Sequence, residues 1–257
     1  MAQQFTLPDG RIIDYLIEGA KDGFPFVWIH GTPGAYLPID SLNAICEKKG
    51  VKVITLSRAG YGGPHSLACA AKLKGCVAVL SVAAVAPYEA EGLDFLAGQG
   101  EGNVEEFGAA LKGEEELRKF CDAQRPEMLK ADVAGMMEVL ATVLPEVDKK
   151  TMLGSKIGEH IVDSFRESLR VSCDGWIDDD LAFTVPWGFE LSEIKVPVLL
   201  YQGSEDKMVP FAHGQWLAEH LPQDKLRKHL IQGEGHLSIF LEQIDTMMDE
   251  LLTVAKV

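Results

Sequence analysis

Cysteine is scarce and odd in number, with five residues and no Cys-x-x-Cys pair. Neither a disulfide framework nor a zinc ribbon is indicated, and a reducing, cytoplasmic setting is expected. Long apolar runs are also lacking. The longest, Cys76 to Pro87, spans 12 residues of small side chains, short of the roughly 18 that a membrane span needs. The opening Met1-Ala2-Gln3-Gln4 has none of the basic-then-apolar pattern of a secretory leader. Bases are outnumbered, 24 against 39 acids, for a net charge of −15. Such a field repels a polyanion, so no nucleic-acid partner is expected, and no membrane partner either. Nothing calls for a cofactor, since no Gly-x-Gly-x-x-Gly follows a strand-like run. Nor is a metal expected: His213 and His220 stand seven apart on one helical stretch with no third ligand nearby, and read as surface residues.

What is present describes a globular chain. At 257 residues it is long enough to bury about three quarters of its unfolded surface without a covalent staple. Hydrophobic residues at 47% and charged residues at 25% match folded domains rather than disordered ones. The acid excess is local: positions 89–191 hold 23 acids against 10 bases, which reads as solvated helix faces.

The two ends alternate strand and helix, while the middle is helical. Phe5-Thr6-Leu7 and Arg11 to Glu18 flank the turn Pro8-Asp9-Gly10, predicting a hairpin. Phe24 to Ile29 reads as a buried parallel strand, Ser41 to Lys49 as a helix and Val51 to Leu56 as the next strand. Pro64 to Lys74 is a small-residue helix with proline at its entrance, and Cys76 to Pro87 another buried strand. Helical spacing then runs through Glu114 to Leu129, Ala131 to Leu144 and Thr151 to Arg170, with Pro126 and Pro145 as breakers. Strand character returns at Val196 to Gln202 and Leu226 to Gln232, and Gly235 to Val257 closes as an amphipathic helix. The pattern predicts an α/β fold: a mostly parallel sheet flanked by helices, its core formed by residues 1–88 and 192–257, with a helical cap inserted at 89–191.

Ligands of open parallel sheets bind beyond the carboxyl ends of the strands. Three segments fall there. His30-Gly31-Thr32-Pro33-Gly34 brings bare backbone close to a ligand, and the Thr32 N–H, beside Gly31, is a candidate oxyanion donor. Asp206 follows a strand and the turn Gly203-Ser204-Glu205. His236 follows the last strand between Gly235 and Leu237. An acid and a histidine, each behind its own strand, make the orienter and general base of an acyl-transfer site.

These motifs, with Ser57-Arg58-Ala59-Gly60-Tyr61-Gly62 and Val196-Pro197-Val198, make the sequence resemble the α/β-hydrolase fold family over nearly its whole length. The His-Gly-x-Pro-Gly form is similar to that of iminopeptidase and small-esterase relatives. The resemblance implies Asp206 as triad acid, His236 as base, Gly31 and Thr32 at the oxyanion, and a small-molecule substrate with a hydrolysable ester, amide or similar bond. It leaves the oligomeric state open.

The family's nucleophile sits in Gly-x-Ser-x-Gly, and the chain has no such pattern. Gly62-Gly63-Pro64-His65 joins the loop directly to a helix, as though a helix–strand unit of roughly 30 residues were absent. Counting back from His65 puts Gly60 or Tyr61 at the nucleophile's position. Among substitutes Ser57, Ser66 and Cys69, Ser66 is the best placed, near a helix start. Two expectations follow: a hydrolase-type protein of doubtful activity, or a pseudoenzyme that binds a ligand or partner without turnover. For the sheet, either the Cys76 strand slides beside the Phe24 strand, or a gap remains between them.

Overall fold

The computed structural model describes residues 2–57 and 62–256. Among them are seven strands and ten α-helices. A hairpin opens the chain: β1 (Gln3–Thr6) and β2 (Ile12–Gly19) pair antiparallel with Phe5 opposite Ile13. Then come β3 (Phe24–Trp28), α1 (Asp40–Lys48), β4 (Val51–Leu56), α2 (Gly62–Lys72) and β5 (Val79–Val82). Six helices follow: α3 (Glu101–Ala110), α4 (Glu114–Lys130), α5 (Val133–Val139), α6 (Glu146–Gly154), α7 (Ile157–Ser168) and α8 (Asp174–Phe183). The chain returns to strand and helix in β6 (Val198–Gly203), α9 (Phe211–His220), β7 (Leu226–Ile231) and α10 (Ser238–Ala255).

The strands form two sheets, β1-β2-β4-β3 and β5-β6-β7. Strand β3 runs parallel to β4, and β5, β6 and β7 are parallel to one another. Of the two arrangements expected, the gap is the one observed, for β3 and β5 do not pair. That corrects the reading of Phe24 to Ile29 as a buried strand. β3 is an edge, and Phe24 and Val27 are 37% and 46% exposed. Backbone alternation shows what is left open. The Phe24 N–H bonds Gly50 in the β4 direction, so Phe26 and Trp28 also face β4, while Val27 and Ile29 face away. On β5, Val79 and Ala83 bond Pro197 and Tyr201, so Leu80 and Val82 face away from β6. Helix α10 joins the two sheets: Met247, Met248 and Leu251 pack in one cluster with Val51 and Val53 of one sheet and Leu199 and Tyr201 of the other.

Other boundaries shift for local reasons. The Cys76 to Pro87 run supplies only four strand residues, because its backbone turns at Ala83, whose φ is +48°. Pro126 lies inside α4 and does not break it. The buried stripe Leu117, Cys121 and Met128 holds both sides of the proline, and the Arg125 guanidinium bonds the Leu169, Arg170 and Val171 carbonyls. The Thr151 to Arg170 stretch is two helices, α6 and α7, parted where Ser155 is extended. Helices α3 and α8 lie within the helical stretch 89–191 but show no helical spacing in the sequence, since two glycines dilute the first and a run of aspartates the second.

Amide hydrogen exchange tests the split. Val27, Ile29, Leu80 and Val82 should exchange fast, and Phe26 and Trp28 slowly; equal protection along β3 would contradict an open edge.

Candidate active site

Strand β6 is buried along its whole length and ends at Gly203. A Cβ at Gly203 would stand 2.3 Å from the Glu234 carbonyl oxygen, so glycine lets the loops after β6 and β7 meet. That approach brings Asp206 to His236, whose Nδ1 lies 2.9 Å from Asp206 Oδ2. Asp206 is fixed by three further donors. Met208 and Val209 give backbone N–H groups to Oδ1 at 2.9 and 2.8 Å, and Gln202 Nε2 reaches Oδ2 at 3.1 Å. Its side chain is fully buried, whereas that of His236 is 22% exposed. Because a carboxylate only accepts, Nδ1 carries the proton and Nε2 is the basic nitrogen of neutral His236.

A second carboxylate supports the same histidine. Asp148, on α6 and fully buried, accepts the backbone N–H groups of His236, Leu237 and Ser238 at 2.8, 3.0 and 2.9 Å. It thereby caps the first turn of α10, where charge and hydrogen-bonding capacity both suit an anion. A Cβ on Gly235 would stand 2.4 Å from Asp148 Oδ1, so this glycine too is required by close approach. Burial raises the pKa of Asp148, while the donors from Ser238 and His236 hold it back. For His236 burial acts to lower the pKa, but Asp206 and then Asp148 outweigh it and the net shift is upward. No sequence motif points to Asp148; only its solitary place in a helix face could have hinted at it.

The His30–Gly34 segment borders the same cavity. His30 is buried with Nδ1 2.8 Å from the Gly31 carbonyl, and the Thr32–Pro33 peptide is cis. The helical segment ties this loop down: Thr32 Oγ1 donates to Asp179 of α8, and the Ala35 N–H bonds Ser164 Oγ of α7 at 3.0 Å. Gly31, Thr32, Ser66 and His236 all line one cavity of about 790 Å³. Ser66 Oγ is engaged, donating to the Gly63 carbonyl at 2.6 Å. Cys69 borders the cavity, and Ser57 follows β4 with its N–H on the Asp14 carbonyl. Positions 58–61 lie outside the described residues, and with them Gly60 and Tyr61.

One acid, Glu106, lines the cavity's helical side. Trp176 Nε1 donates to Glu106 Oε1 at 2.5 Å. Glu106 and Asp180 are both buried, and neither Asp180 carboxyl oxygen has a hydrogen-bond partner among the described residues; burial raises the pKa of both, and the charge of Glu106 raises Asp180 further. Trp176 lines the cavity, while Trp187 stacks on Phe189 and Met136 and Met137 pack among the helices. His213 is not a surface residue as expected. It is fully buried, its Nδ1 accepting the Ala86 N–H at 3.1 Å and its Nε2 donating to the Phe95 carbonyl at 3.0 Å. His220 is exposed and stacks on Trp216. Among the described residues no three His, Cys, Asp or Glu side chains are grouped to hold a metal.

Two outcomes follow. Asp148→Ala should lower stability by about 2 kcal/mol in chemical denaturation and speed exchange at residues 236–238, with Asp148→Asn intermediate; unchanged exchange there would contradict the capping role. Glu106 and Asp180 bind protons more tightly folded than unfolded. Their contribution is therefore present below the ordinary carboxyl range, about pH 4, and fades as pH rises through the raised values. Melting temperature followed from pH 4 to 8 should decline less in Asp180→Asn than in the parent; parallel profiles would rule out the raised carboxyl.

No protein-family model matches the chain, and no curated protein does. Solved structures do. A bromoperoxidase from Bacillus anthracis is 17% identical, with a TM-score of 0.65 over 100% of this chain and 99% of that one. An esterase from Exiguobacterium antarcticum is 16% identical, with a TM-score of 0.62 over 100% of both chains. Epoxide hydrolases of the α/β-hydrolase superfamily, from hot-environment metagenomes, give 14% and 0.60 over 98% of both. With a mixed, largely parallel sheet flanked by helices and acid and histidine behind successive strands, the chain has the α/β-hydrolase fold.

Proposed function

We propose that the site is that of a hydrolase for an ester, amide or similar bond in a small, largely apolar substrate, working here through water rather than a serine. One observation carries the reading: His236, held through Nδ1 by Asp206, borders the cavity that Gly31 and Thr32 also line. Nε2 would take a proton from water as it attacks, and the Thr32 N–H would receive the developing oxyanion. The similar structures titled esterase and epoxide hydrolase support a hydrolytic site of this kind. Helices α3–α8 would act as the cap over the substrate, and the acid excess favours neutral or cationic ligands in a cytoplasmic setting.

Turnover would be slow. Without Gly-x-Ser-x-Gly the chain forgoes the serine, worth about 10⁶ in rate where it has been removed from a triad, and an elbow N–H worth about 10² to 10³. That same absence favours a second reading, a binding protein that retains the pocket without turnover.

Hydrolysis of p-nitrophenyl butyrate separates the two. Water-mediated chemistry predicts no burst, no fluorophosphonate labelling, and a rate lost in His236→Ala. The rate should rise with pH through a midpoint above the ordinary histidine value of about 6.5, because Nε2 must be unprotonated and the pKa of His236 is raised. Saturable binding with no His236-dependent rate would establish the binding protein, and a burst with serine labelling would overturn both.

A further inference from the structure

The cavity extends well past His236. It runs between the two sheets, with Val27 and Ile29 on one bank and Leu80 and Val82 on the other, over a floor of α10 that includes Leu252 and Ala255. Val27, Leu80 and Val82, with Ile29 just past the end of β3, have backbone groups that face away from their own sheets; Pro25 faces the same way and offers only its carbonyl. Two edges with open N–H and C=O groups therefore face each other across an apolar cleft.

Both banks run in the same direction. β3 ends with Trp28 packed 5.1 Å from Phe240, in the first turn of α10. β6, to which β5 is parallel, ends at Gly203 against Glu234, just before α10. Each strand thus heads toward the start of α10, and an extended chain lying between them can pair in parallel with both. Only a polypeptide strand supplies the alternating donors and acceptors that two such edges demand.

Charge sets the occupant's composition. The four bank residues are apolar, and Lys74 lines the cavity before β5, at the end where the strands begin. We propose that the cleft between β3 and β5 binds an extended apolar peptide segment of about five residues, preceded by an acidic residue, as a parallel strand that joins the two sheets. Affinity would come from main-chain hydrogen bonds along both banks, selectivity from alternate side chains, and direction from Lys74 meeting the acidic residue. The inference concerns the inter-sheet cleft and does not rest on the chemistry assigned to His236.

The test uses the whole chain and a fluorescein-labelled peptide, Asp-Val-Ala-Val-Val-Gly, followed by fluorescence polarisation and amide exchange. Saturable binding should slow exchange at Val27, Ile29, Leu80 and Val82 together. Methylating every second peptide nitrogen, which keeps the side chains, should weaken binding at least tenfold. Val27→Asp should abolish binding with the melting temperature unchanged, since Val27 is already half exposed; Val77→Asp, 44% exposed at the mouth, is the companion variant should the first fail to fold. Lys74→Glu should weaken the Asp peptide several-fold and favour its Lys counterpart. Absence of saturable binding, equal binding of the methylated peptide, or displacement by laurate without any slowing of the four amides would overturn the proposal, the last marking the cleft as an acyl-chain site.

Discussion

A carboxylate reaching out of the helical segment into the root of the last helix holds this site together. Asp148 receives three successive backbone N–H groups, and its place under Gly235 leaves no room for another residue there. Backbone donors at a helix start must find partners, and here a distant element supplies them. The histidine is thereby set between two acids, one on its ring and one on its backbone. Thr32–Asp179 and Ala35–Ser164 fasten the facing loop to the same helical segment. These helices are therefore part of the site's framework.

The sheet itself is discontinuous, and α10 compensates. Its apolar face packs against strands of both sheets, so one hydrophobic cluster bridges a line that no hydrogen bond crosses. Burial, which is non-directional, keeps the halves together. Hydrogen bonding, which is directional, is left unfinished along β3 and β5.

Much of this was legible in the residues. Strand runs and turn signals located the hairpin, β4, β6 and β7, and the glycine-flanked Asp206 and His236 behind their strands foretold the contact at 2.9 Å. Exposure of β3 was not legible, because Phe24 to Trp28 has the composition of a buried strand and only the lack of a neighbour exposes it. Pro126 misled because helix signals are local, while a buried stripe and an arginine on three carbonyls hold α4 from outside. Asp148 and the Glu106–Asp180 pair were invisible for the same reason. Their roles depend on partners far away in sequence, and an acid in a helix otherwise reads as solvated.

The proposed base, His236, is presented at Nε2, with its other nitrogen bound by Asp206 and its charged form favoured by two acids. Nitrogen-15 NMR of the imidazole measures this directly across a pH titration. Nδ1 should stay protonated throughout, with Nε2 titrating above the value of about 6.5 for a free histidine. A neutral ring protonated on Nε2, or a midpoint below that of free histidine, would contradict the account.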